Sequence, residues 1–144
     1  MRNLIAELKQ EHAVISARLM EARALGISSA QGRDHLLLVK STLLAHLAKE
    51  DQQLYPKLRE AAANDRQLET LLKIFARDME QVSGFAIQFF AKFESGVATS
   101  DQYLEDVAML LARLRFRIGN EEQILYREYQ RVSAEELRLL ASST

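Results

Sequence analysis

HLAKEDQQLYP, from His46 to Pro56, and RIGNEEQILY, from Arg117 to Tyr126, are two versions of one segment. Glu50 aligns with Glu121, Gln52 with Gln123, Leu54 with Leu125 and Tyr55 with Tyr126. Asp51 faces Glu122, and His46 faces Arg117. A weaker match sets EHAVIS, Glu11 to Ser16, beside DMEQVS, Asp78 to Ser83. One helix pair therefore resembles the next. The pairing predicts a pseudo-twofold bundle in which Glu50 and Glu121 face each other.

Working outward, apolar residues recur at helical spacing along nearly the whole chain. Leu4, Leu8, His12, Ile15, Leu19 and Ala22 form the first stripe, and Gly26 closes that helix. A connection over Ile27–Gly32 follows, with Ser28 or Ser29 as N-cap. The second helix runs from about Arg33 to Ala62, with Val39, Thr42, Leu43, His46, Glu50 and Leu54 on its inner face. Pro56 predicts a kink or a split there, because proline removes one intrahelical hydrogen bond. Asn64 to Gln67 reads as a turn with a capping box. The third helix then carries Leu68, Leu72, Phe75, Met79, Val82, Ala86, Phe89, Phe90 and Phe93. Gly96–Ser100 is the next connection, with Thr99 or Ser100 as cap, and the fourth stripe is Leu104, Val107, Leu110, Leu114, Arg117, Glu121 and Leu125. Ser133 and Glu136 suggest a second capping box before Leu137, Leu139 and Leu140, hence a short fifth helix.

Short connections between long helices favour antiparallel neighbours. An α-solenoid would need shorter helices at a fixed period, and none is present. The expectation is an all-α, antiparallel up-down four-helix bundle forming one domain over residues 1–144, with its core over about 1–131 and a short extra C-terminal helix, about 133–142, laid across it. Leu137 and Leu140 would then close the bundle end or make a dimer contact.

Composition narrows the function classes. Basic residues number 19 and acidic residues 20, and no basic stripe stands out, so nucleic-acid binding by phosphate neutralisation is not expected. With no cysteine, disulfides, thiolate metal sites and a cysteine nucleophile are excluded. No apolar run approaches the roughly 18 residues of a membrane span, and Met1–Leu8 does not read as a signal peptide. The expected location is the cytoplasm. There is no Gly-x-Ser-x-Gly elbow and no phosphate-cradling loop.

The informative residues are polar ones inside apolar stripes, because burial without partners costs free energy. His46 and Glu50 are four apart and share a helix face, which is metal-ligand spacing. His12 sits mid-stripe on the neighbouring helix, and Glu121 is the repeat partner of Glu50. Histidines and carboxylates on facing helices are how bundles build iron or manganese sites. His35 lies eleven residues before His46, about 16 Å along the axis at 1.5 Å per residue, too far to join it.

On these residues the chain resembles a hemerythrin-type, HHE cation-binding domain, over roughly Leu4 to Tyr129. The resemblance implies a four-helix bundle that binds two irons through five histidines and two carboxylates, for oxygen binding or for sensing oxygen, redox state, nitric oxide or iron. His12 matches the ligand of the first helix, His46 and Glu50 the His-x-x-x-Glu motif of the second, and Glu121 the carboxylate of the fourth. Two positions depart from the pattern: Arg117 stands where the fourth helix should present histidine, and Met79 where the third should.

An arginine facing two carboxylates supplies a permanent positive charge. The favoured expectation is accordingly a divergent member with a degenerate site and no cofactor, in which Arg117 pairs with Glu121, alone or together with Glu50, and replaces metal charge. It would be a non-enzymatic regulatory or interaction module, a monomer or homodimer serving a protein partner, with no nucleic acid and no membrane. The alternative is an iron-binding sensor or carrier of oxygen or nitric oxide, mono- or di-iron, on the reduced set His12, His46, Glu50 and Glu121. A third reading is a carboxylate enzyme using Glu50 and Glu121, which would need a solvent-reachable cleft. Tyr55 and Tyr126 are expected to pack with their hydroxyls near solvent, and Gly84 and Gly119 to permit close helix approach.

Overall fold

The computed structural model describes residues 3–95 and 99–143. Helix α1 (Leu4–Leu25) is capped by Asn3, whose side chain accepts from the Ala6 amide. It ends at Gly26, whose φ of 71° lies in the left-handed region that glycine enters without a Cβ clash. Of the two serines proposed as caps, Ser29 accepts from Gly32 N, and α2 (Ala30–Lys49) begins three residues earlier than expected. Gly32 allows that close turn, since a Cβ there would lie 2.0 Å from the Gly26 carbonyl oxygen.

The second arm continues as a π-helical segment, Glu50–Leu54, and then α3 (Tyr55–Ala62). Asp65 caps α4 (Arg66–Glu94) through the Leu68 amide, so the cap is a single aspartate rather than a box. Most of the predicted Gly96–Ser100 connection lies outside the described residues. At its end, Thr99 caps α5 (Ser100–Asn120) in a full capping box with Gln102. A second π-helical segment, Glu121–Leu125, leads into α6 (Tyr126–Ser142). Thr99→Ala should cost about 1 kcal/mol, the usual worth of such a cap, readable as a lowered urea midpoint with unchanged slope.

Both π segments start at the repeated glutamates, and in each the tyrosine amide reaches back five residues, Tyr55 to Glu50 O and Tyr126 to Glu121 O. Proline is not the common cause. The position after Tyr126 is Arg127, and the irregularity is present there too. Wide turns of this kind cluster at functional sites in helical proteins, and here they mark the repeat.

Two apolar clusters build the core. One joins Ile15, Leu19, Leu36, Val39, Phe89, Phe93, Tyr103 and Leu110 with their neighbours. The other joins Ile5, Leu8, Leu54, Leu58, Leu68, Phe75, Leu125 and Tyr126 with theirs. The first half of α1 thus packs with the far half of the second arm, as antiparallel neighbours must. The outcome is the expected all-α bundle of four helical arms. Among the described residues no helix is long and apolar enough to cross a membrane.

Several expectations change. Leu104 faces outward and Tyr103 takes its place in the core, donating to the Ala22 carbonyl at 2.6 Å. The chain does not break at Ser133, because residues 133–142 are the distal part of α6, an unbroken continuation of the fourth arm. Propensity toward a cap at Ser133 loses to the helix already running through it. Leu137, Leu139 and Leu140 remain 57–68% exposed and close no bundle end. Nothing comes within 4 Å of a Cβ placed at Gly84 or Gly119, so neither glycine serves close helix approach.

Candidate metal centre

Between the two apolar clusters lies a single polar layer. The buried polar side chains of the described residues are His12, His46, Glu50, Arg117 and Glu121, each no more than 4% exposed. His12 comes from α1, His46 from the last turn of α2, Arg117 from the last turn of α5, and each glutamate opens a π segment. The helix α4 contributes no ionised group to this layer.

The four residues singled out from spacing do converge. One ligating atom from each of His12, His46, Glu50 and Glu121 lies within 4.8 Å of all the others. His46 Nε2 is 3.3 Å from Glu50 Oε1, and His12 Nε2 is 3.3 Å from Glu121 Oε1. Behind the rings stand two carboxylates: His12 Nδ1 is 3.0 Å from Glu122 Oε2, and His46 Nδ1 is 2.8 Å from Glu11 Oε1. An ionised carboxylate can only accept, so each Nδ1 carries a hydrogen and each Nε2 faces inward, that of His46 without a hydrogen-bond partner and that of His12 against the Tyr126 hydroxyl. That is the arrangement by which proteins orient metal-binding imidazoles. Lys49 in turn holds Glu11 at 2.6 Å.

Tyr126 lies nearly parallel to His12, donates its hydroxyl to Glu50 Oε2 at 2.8 Å and sits 3.0 Å from His12 Nε2. Its repeat mate Tyr55 accepts from Arg117 Nη2 at 2.7 Å. Both hydroxyls are therefore inside the bundle rather than near solvent, and burial raises both phenol pKa values. The repeat already showed the two tyrosines as a matched pair, which was the available signal. Glu11 and Glu122 carried none beyond adjacency to His12 and Glu121.

Arg117 does not bridge the carboxylates. Its Nη1 donates to the Phe75 carbonyl at 2.8 Å, its Nη2 donates to Tyr55, and its guanidinium lies 4.8 Å from the Phe75 ring centre. Only Nε faces Glu121 Oε2, at 3.8 Å, too long for a hydrogen bond. The pairing with Glu121 survives as an ion pair and no bridge to Glu50 forms, because the Phe75 carbonyl of α4 and the Tyr55 hydroxyl of α3 compete for a planar fork that cannot face both ways. Met79, the mate of His12, is half-buried beside it. His35 lies apart, with Nε2 3.0 Å from the Arg18 carbonyl oxygen.

Charge is distributed unevenly. Burial works against ionisation of Glu50, but the His46 imidazole, the neighbouring Glu121 carboxyl and the Tyr126 hydroxyl outweigh it and hold its pKa down at about 2. Burial and then the adjacent Glu50 push Glu121 well above the ordinary range, against the pull of Arg117. Burial lowers His12 and outweighs the contact with Glu122. For His46, burial is outweighed by Glu50 and Glu11, and its pKa is raised. His46 Nε2, Glu50 Oε1, Arg117 Nε and Glu121 Oε2 are buried without any hydrogen-bond partner. Orphaned atoms of this kind are rare in native cores and call for an occupant. The orphaned His46 nitrogen and carboxylate oxygens, with His12 Nε2 beside them, make a donor set that fits a metal cation.

Beside the site is a cavity of about 20 Å³, walled by His12, His46, Met79, Ser83, Arg117 and Glu121 and by aliphatic side chains. That is space for about one water molecule.

The family model for the hemerythrin HHE cation binding domain matches residues 3–129. No curated protein and no solved structure matches the chain.

Proposed function

The chain belongs to the hemerythrin family of HHE cation-binding domains, and on that premise we propose that it is a non-enzymatic module that binds a divalent cation through His12, His46, Glu50 and Glu121 and signals its loading to a protein partner in the cytoplasm. The observation that carries this reading is the pair of inward-facing Nε2 atoms, each backed by a carboxylate and each 3.3 Å from a buried glutamate oxygen. His46 leaves its Nε2 without a hydrogen-bond partner, whereas a core histidine with only a structural role would normally spend both nitrogens on protein partners.

Electrostatics favours a cation in the same place. The buried layer sets two carboxylates against one guanidinium, with Glu11 and Glu122 partly buried behind the imidazoles. It is short of positive charge, and Glu121 meets that shortage by resisting ionisation. His12, His46, Glu50 and Glu121 would hold a dication that supplies the charge instead, and these ligands come from α1, the second arm and the fourth arm at one level. Loading would then be felt across three helices, which is what a sensing module needs. The space beside the site, about 20 Å³, is far below the few hundred Å³ of a small-molecule substrate pocket, which supports a non-enzymatic role.

Elemental analysis of purified protein, with thermal melts before and after chelation, tests this directly. Metal should be present, and its removal should lower stability by about 2.7 kcal/mol when free metal stands a hundredfold above Kd. Chelated and loaded samples with the same melting temperature would sink the proposal.

A further inference from the structure

We propose that the site takes a single low-coordinate dication of the zinc type, with the guanidinium of Arg117 standing where a second ion would have to sit. This rests on the cation-binding reading above and adds to it stoichiometry and coordination.

The donor count comes first. Each histidine offers Nε2 alone, because Nδ1 is committed to Glu122 or Glu11. Each glutamate offers one oxygen, because Glu50 Oε2 accepts from Tyr126 and Glu121 Oε2 faces Arg117. The adjacent cavity of about 20 Å³ has room for one water and no more. Four protein donors and at most one water fall short of the six that an octahedral ion requires.

The two imidazole–carboxylate donor edges agree. Bonds of 2.0–2.1 Å at tetrahedral angles place neighbouring donors about 3.3–3.4 Å apart, and right angles would bring them to about 3.0 Å. Both imidazole–carboxylate edges measure 3.3 Å, while the four donor atoms as a set lie within 4.8 Å of one another, so two of the six edges already match and the others would adjust around an ion. Zinc has no ligand-field preference and accepts four-coordinate nitrogen and oxygen sites, expanding to five with water.

The second half of the repeat is closed to metal by its own residues. Met79 and Arg117 occupy the positions matched to His12 and His46. The guanidinium is clamped by the Phe75 carbonyl, the Tyr55 hydroxyl and the Phe75 ring, and cannot swing away without breaking all three contacts. A second dication would meet this fixed charge across Glu121 with no imidazole to bind it. The two-iron, five-histidine centre implied by the family resemblance therefore does not fit this chain.

Cobalt(II) is the probe, because its visible bands report coordination number. Metal-free protein titrated with cobalt chloride should develop the intense bands of a four- or five-coordinate ion and saturate at one equivalent. His46→Ala should abolish those bands while Thr99→Ala leaves them intact. Saturation at two equivalents, the faint bands of a six-coordinate ion, or strong bands surviving in His46→Ala would each overturn the proposal while leaving metal binding as such in place. No binding of cobalt, zinc or iron(II) would overturn this inference and the cation-binding reading together.

Discussion

Arg117→Met should cost about 3–5 kcal/mol of folding stability in the metal-free protein, the range seen when one member of a buried charge set is removed. Methionine fills much of the same volume, so the loss is chemical rather than a cavity. It strips the Tyr55 hydroxyl of its charged donor, removes the tie to the Phe75 carbonyl of α4, and leaves Glu121 beside Glu50 without a cation. In a chain of this size each kcal/mol is worth about 2–4 °C, so the melting temperature should fall by roughly 10 °C. Glu121→Gln in the same chain should recover part of the loss, since the carboxylate that needed the cation is gone. Urea denaturation of both single variants and the double one gives the coupling. If Arg117→Met came within about 1 kcal/mol of the parent protein, the guanidinium's own desolvation would be cancelling its contacts. The view of Arg117 as a stabilising charge would then be wrong.

How much of this was legible beforehand follows from which residues had repeat partners or stripes to announce them. His12, His46, Glu50 and Glu121 were readable because polar side chains interrupted apolar stripes at helical spacing, and they meet within 4.8 Å. The four arms were readable for the same reason, with Gly26, Ser29, Asp65 and Thr99 punctuating them. The direction of the Arg117 fork was not. Its stem position follows from periodicity, but the choice between Glu50, Glu121, Tyr55 and Phe75 O depends on where another arm places neutral acceptors. The unbroken helix through Ser133 was likewise hidden. A serine three residues before a glutamate caps a helix only where the chain enters one, and α6 is already under way there. The outward turn of Leu104 is a one-position slip at the start of α5, where Tyr103 gains a buried hydrogen bond that leucine could not make.

Glu50→Gln should reverse the order of stability between the metal-free and metal-loaded protein. Without metal, the native site holds Glu50 ionised against a glutamate that resists ionisation, an arrangement imposed by two acidic groups in one dry layer. A glutamine amide at that position can still accept from Tyr126 and can donate to Glu121, which is then free to ionise opposite Arg117. The metal-free variant should therefore be at least as stable as the metal-free parent. With metal the sign changes. The variant has lost one of four donors and half of the carboxylate charge that balances a dication, and affinity should fall by more than about 100-fold, beyond the 10–100-fold typical of residues that merely orient a ligand. At a metal concentration giving the parent about 4 kcal/mol, a thousandfold over its Kd, the variant should gain about 1.4 kcal/mol or less. Paired melts with and without zinc would show the two curves crossing. A variant destabilised in both states would mean that Glu50 acts as a structural hydrogen-bond acceptor whose charge is needed by His46 and Tyr126 alone, and the case for a cation in this layer would fall with it.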